Sequence, residues 1–172
     1  MSSSVKPSSV SKVAAVAAVV ALSALFAGNA TAAITCTFQS VPGVAFGAYD
    51  DSSSAPTDIT SFVDVLCSRV GGPADVTLEI AIGVSANTGQ VSTRALKNTA
   101  SSVLLYYNLY RDTGHSQVWG VTSNVDTQTT SILNVPNNGS KSARVNIYGR
   151  ITALQNATVG IYGDSLSITV SP

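Results

Sequence analysis

Charge is scarce in this chain. Only 10% of its 172 residues are Asp, Glu, Lys or Arg, and the two signs balance at nine each. No basic block or stripe occurs, which argues against nucleic acid or an anionic membrane surface as a partner. Histidine is rarer still: His115 is the only one, so a Ser–His–Asp arrangement would have to run through it. It follows Arg111-Asp112-Thr113-Gly114, a polar stretch that reads as a hairpin turn with a solvent-exposed imidazole. The carboxylates are scattered through turn-like segments, with Glu79 on the outward face of a strand, and no spacing supports a paired-carboxylate hydrolase. Phosphate-binding loops and metal-ligand clusters are missing too. No catalytic group, cofactor or metal is therefore expected, and binding or assembly is the anticipated role.

One long apolar run stands at the N-terminus. Met1–Lys12 is Ser-rich and carries Lys6 and Lys12; Val13–Ala27 is apolar except for Ser23; Ala30-Thr31-Ala32 then supplies small residues. A basic start, an apolar core and an A-x-A site are the parts of a secretory signal peptide. An uncleaved anchor would need about 20 apolar residues, and this stretch is shorter. Cleavage after Ala32 is expected, leaving a domain of residues 33–172 with no membrane span. Without Lys6 and Lys12, seven basic residues face nine acidic ones, a net charge of −2. That length suits one domain with one core.

Cysteine is limited to Cys36 and Cys67. In an exported chain an even count indicates a disulfide, and two cysteines permit one connectivity. A redox or metal pair would require C-x-x-C spacing or histidine support, and neither is present. Closing a loop of about 32 residues stabilises by about 3.5 kcal/mol in the chain-entropy treatment.

Helical periodicity is absent after Ala33, and alternation of period two takes its place. Val76, Leu78, Ile80, Ile82 and Val84 share one face of a predicted half-buried strand, and Thr77, Glu79, Ala81 and Gly83 the other. Ala143, Val145, Ile147 and Ile151 alternate with Arg144, Asn146, Tyr148 and Arg150. Val103–Tyr110 is apolar on both faces except at Asn108, as in a central strand. Ile34, Cys36 and Phe38 form another such face, as do Ile59, Val63, Val65 and Cys67. The last strand shows a phase slip: Val159 and Ile161 are odd, whereas Leu166, Ile168 and Val170 are even. A bulge or break at Gly163-Asp164 would absorb it. Turn signals such as Gly71-Gly72-Pro73 and Asn137-Asn138-Gly139 separate the runs. Six or seven strands in one all-β sandwich are predicted.

Several of these residues, in order, carry a family likeness. They are Cys36, Phe46-Gly47-Ala48-Tyr49-Asp50, Cys67, a strand ending at Gly83, Arg94, and Leu105-Tyr106-Tyr107-Asn108-Leu109-Tyr110-Arg111-Asp112. Trp119-Gly120, Tyr148-Gly149-Arg150, Gln155 and Gly160-Ile161-Tyr162-Gly163-Asp164 follow. Across residues 33–172 the chain resembles the spore coat protein U family, which includes archaic chaperone–usher pilins. The resemblance implies an immunoglobulin-like β-sandwich that lacks its last strand. Its groove would be filled first by a periplasmic pilus chaperone and, after passage through an usher, by an extended segment of a neighbouring subunit. The physics is strand addition, with main-chain hydrogen bonds for affinity and alternate side chains in pockets. Leu166, Ile168, Val170 and Ile161 are the expected groove residues. A start at Ala33 leaves only Ala33, Ile34 and Thr35 before Cys36, so the chain is expected to accept a strand rather than donate one, as a tip or coat component at the cell or spore surface.

The alternative is a surface-binding module, an adhesin for glycan or abiotic surfaces. Trp119 is its candidate contact residue. Tyr106, Tyr107, Tyr110, Tyr148 and Tyr162 could likewise stack on sugar, although strand and core packing explains them more simply. The sequons Asn138-Gly139-Ser140 and Asn156-Ala157-Thr158 are chance-level matches in so polar a chain, and Asn138-Gly139 reads as a tight turn.

Overall fold

The computed structural model describes residues 33–172; the predicted signal peptide, residues 1–32, lies outside the described residues. Nine strands and no helix occur among the described residues: β1 (Ala33–Ser40), β2 (Thr57–Val70), β3 (Ala74–Ile82), β4 (Ala95–Asn98), β5 (Leu104–Tyr110), β6 (Gln128–Val135), β7 (Gly139–Ile151), β8 (Tyr162–Gly163) and β9 (Ile168–Ser171). The six or seven predicted strands become nine because β4 and β8 are too short to show periodicity and the predicted last strand divides into β8 and β9. Two sheets pack face to face, one ordered β1-β2-β7-β5-β4-β8 and the other β6-β3-β9, with all ladder pairs antiparallel.

Alternation sets the core. Val63, Val65 and Cys67 of β2, Val76, Leu78, Ile80 and Ile82 of β3, and Ile147 and Ile151 of β7 are all buried. Each such aliphatic side chain contributes about 1.5–3 kcal/mol on leaving water. On the outer face of the long β2–β7 ladder, Asp64 lies opposite Arg144 and Asp58 opposite Arg150. Both pairs form two-pronged ion pairs at 2.6–2.8 Å, so this face is polar and satisfied. The Cys36–Cys67 disulfide forms between directly paired residues of β1 and β2, which fastens an edge strand to the sheet.

Four expectations change. Trp119, the candidate surface contact, is fully buried. After the Asp112 turn the chain folds back along β5, with Trp119 N–H donating to the Leu109 carbonyl. The indole N–H donates to the Ile80 carbonyl at 2.8 Å. An apolar bicycle with one satisfied donor gains more from the core than from water. His115 does sit in a turn, with φ 55°, but its side chain is only 8% exposed. It packs edge-on between Tyr110 and Tyr148.

The third change concerns Val84, which leaves the β3 face at 45% exposure. Gly83 ends the run because residues 165–167 cross it, and Gly83 N–H donates to the Ser167 carbonyl. Fourth, the expected change of phase does not occur. Even-numbered residues face inward from Tyr162 to Val170, while Val159 and Ile161 are 104% and 75% exposed. The break falls where predicted, near Gly163-Asp164, because β8 pairs with β4 and β9 with β3. The chain changes sheets there.

Candidate functional site

Six strands on one side face three on the other, so the inner face of the larger sheet overhangs its partner. At one end Leu96 (β4), Leu105 (β5) and Ile151 (β7) form the floor of a cleft of about 710 Å³. Residues 44–49 make one wall and residues 157–162 the other. Neither wall has strand structure beyond Tyr162, so little of their main chain is committed to a ladder. Val159 and Ile161 stand at the mouth.

A seam lies between β1 and β9, which run side by side. Among the described residues β1 pairs only with β2, and β9 only with β3. Their facing edges therefore carry main-chain groups free to pair. Ile34 and Cys36 on one side and Leu166, Ile168 and Val170 on the other are packed against the core yet only partly buried. The predicted residues Leu166, Ile168 and Val170 are thus brought onto one inward face. Ile161 is separated from them, three-quarters exposed at the cleft mouth. Sequence reasoning missed Val44, Phe46 and Tyr49, which form the opposite wall. The Phe46–Asp50 stretch has no alternating pattern, and its one clue is membership in the ordered family set.

The walls are held by specific contacts. Phe46 meets the Tyr107 ring edge-on at 5.5 Å and lies against Gly149. The Ser61 hydroxyl donates to the Gly43 carbonyl. The Tyr49 hydroxyl accepts from Gln155 N–H at 2.8 Å and donates to the Thr152 carbonyl at 3.0 Å. On the far wall Gly160 lies so close to Asn98 that any Cβ would collide with its amide, and Asn98 donates to the Thr158 hydroxyl. Under the seam, Tyr107 Oη donates to Asp164 at 2.8 Å. Burial, and then that bond, push the Tyr107 phenol far above its ordinary pKa.

Beneath the cleft lies a buried cation. Arg94 is fully buried and donates to the carbonyls of Ile82, Gly83 and Trp119 and to Asn108 Oδ1, at 2.8–3.2 Å. Burial pulls its pKa below the ordinary guanidinium value. All three of its nitrogens donate, to three main-chain carbonyls and the Asn108 amide oxygen, so it acts as structural cross-bracing.

Nothing chemical is assembled around His115. Its Nε2 is 3.8 Å from Asp58 Oδ1, and Asp58 is held by Arg150, whose hydrogen bond lowers the carboxyl pKa. Among the described residues no three His, Cys, Asp or Glu side chains converge.

Comparison with known proteins places this geometry. The Spore Coat Protein U domain model matches residues 22–169, a span that overlaps the end of the predicted signal peptide. No curated protein matches the chain by sequence. Among solved structures, the fold is similar to the CsuC–CsuE chaperone–tip adhesion subunit pre-assembly complex from archaic chaperone–usher Csu pili of Acinetobacter baumannii. That match has 15% identity and a TM-score of 0.51, covering 80% of this chain and 39% of that one. A chaperone–tip adhesin complex of CFA/I fimbriae biogenesis matches at 16% identity and a TM-score of 0.42, covering 81% and 42%. The chain thus spans about two-fifths of the length of each of these two structures.

Proposed function

The chain belongs to the Spore Coat Protein U domain family, and from that membership we propose that it is an exported structural subunit assembled by strand addition through a chaperone–usher pathway. One observation carries the reading: a six-stranded sheet is covered by only three strands, which leaves β1 and β9 as neighbouring edges without a strand between them and an open cleft at one end. An extended segment laid along β9 would satisfy that edge and seat alternate side chains over Leu166, Ile168 and Val170. Each aliphatic side chain so buried contributes about 1.5–3 kcal/mol before the cost of ordering the segment.

The partners in this reading are a periplasmic chaperone during export, an usher, and a neighbouring subunit at the cell or spore surface. Its role is assembly rather than catalysis. The adhesin alternative loses its anchor, since Trp119 is sealed in the core.

The test is production of the full chain in a periplasm with and without a pilus chaperone. Recovery should depend on the chaperone, and the purified protein should gain thermal stability on adding a ten-residue peptide (about the length of a long strand) with aliphatic residues at alternate positions. A chaperone-independent, stable monomer that ignores the peptide would overturn the proposal.

A further inference from the structure

One network joins both sides of the cleft and belongs to neither sheet. Beyond Tyr107–Ile151 the β5–β7 ladder ends, yet Tyr106 keeps both main-chain bonds. Its N–H donates to Gln155 Oε1 and its carbonyl accepts from Gln155 Nε2, each at 2.7 Å. A side-chain amide thus replaces a strand. The same Nε2 reaches Thr152 Oγ1 at 2.9 Å. Gln155 N–H in turn donates to Tyr49 Oη, in the opposite wall. Placing Gln155 requires Leu154 to adopt φ 58° and to leave its side chain 65% exposed. A leucine in the left-handed region is strained, and such strain persists only where surrounding contacts over-determine it.

Resting on the strand-acceptor reading, we infer that Tyr49 and Gln155 are positioning residues that fix the 44–49 wall relative to the 152–162 segment, so that the empty cleft is already in its receptive shape. Neither residue needs to touch the incoming strand. Tyr49 anchors one wall to the loop, and Gln155 anchors the loop to β5. Without the pair the walls are free to close on one another, because covering the exposed Val159 and Ile161 at the cleft mouth is favourable. An incoming strand would then bind only the open fraction of molecules, and apparent affinity falls by that fraction. The loss appears in association. Once the strand is seated it props the walls itself, and dissociation is unaffected.

The experiment uses the full chain exported with chaperone and a fluorescein-labelled ten-residue peptide with Val and Ile at alternate positions, followed by stopped-flow and chase. Tyr49→Phe removes only the hydroxyl, and Gln155→Met keeps size without hydrogen bonds. Both variants should associate about tenfold more slowly with dissociation within about twofold of wild type. Amide exchange at Tyr106 and Gln155 should quicken in the same variants before peptide is added. Unchanged association in both variants overturns the positioning role while leaving strand acceptance intact. Slower association accompanied by equally faster dissociation overturns it as well, since that marks damaged contacts. Failure of the wild-type protein to bind the peptide overturns strand acceptance itself, and the positioning role with it.

Discussion

The Phe46 ring rests on the backbone of Gly149. A Cβ added at Gly149 would stand 2.9 Å from Phe46 Cζ, and equally close to Ile59 Cγ2. One wall of the cleft is therefore seated on a bare glycine in a central strand, where a side chain would otherwise pack.

Gly149→Ala should lift Phe46 off its seat and lower stability by about 1–3 kcal/mol, the usual cost of overpacking. Phe46→Leu added to it should recover part of the loss. Denaturant midpoints of the two single variants and the double variant check this, and strict additivity would mean that the two residues do not compete for the same space.

Trp119 should behave as a core residue. It is the only tryptophan, so its fluorescence should resist acrylamide quenching until the protein unfolds. Trp119→Phe strands the Ile80 carbonyl and should cost about 1–3 kcal/mol. Ready quenching in the folded protein would contradict the buried placement.

Arg94→Lys is not conservative at this site. A single ammonium cannot span the carbonyls of Ile82, Gly83 and Trp119 together with Asn108. Each buried acceptor left alone costs about 1–3 kcal/mol, so the exported variant should accumulate poorly even with chaperone. Wild-type yield and melting temperature would show that the bracing is dispensable.

Cys36→Ser should release β1, the edge strand that lines the seam. The expected loss is about 2–5 kcal/mol, with amide exchange quickening first along residues 33–40. Unchanged yield and thermal midpoint would rule this out.

Acid should destabilise the protein. Arg144 holds the Asp64 carboxyl, and Arg150 the Asp58 carboxyl, below the ordinary 3.8. Hydrogen bonds from Gln117 and Ser116 do the same for Asp112, and Thr127, Asn124 and Ser123 lower Glu79 from 4.5. The unfolded chain therefore takes up protons first as pH falls. Stability is complete above the ordinary carboxylate range and declines as pH drops through it toward the lower folded values. Thermal midpoints between pH 7 and pH 2.5 should fall in that window, and Asp58→Asn with Asp64→Asn should flatten the slope.

Much of the β framework is legible in the amino-acid sequence. Val63, Val65 and Cys67, Val76 to Ile82, and Val145 with Ile147 alternate as they pack, because a strand shows opposite faces to successive residues. The disulfide is legible from cysteine count and compartment. Trp119 and His115 defy a sequence reading for a shared reason. Both follow a turn at Asp112, and turn chemistry reveals that the chain reverses without revealing what it folds back onto. Val159 and Ile161 resemble strand interior because their composition matches it, although they remain exposed at the cleft mouth.

The sequence by itself determined that this is a disulfide-bonded β-protein, and which residues alternate into its core. Tertiary structure alone decided that six strands face three, that the final segment changes sheets after Gly163, and that residues 44–49 and 157–162 face each other across an open cleft. The physical reason is that periodicity is a local property, recording which side of a strand avoids water. Which sheet a strand joins, and how much of the opposite face stays uncovered, depends on pairings between residues far apart in the chain, as with Thr57 and Ile151 or Glu79 and Ser171.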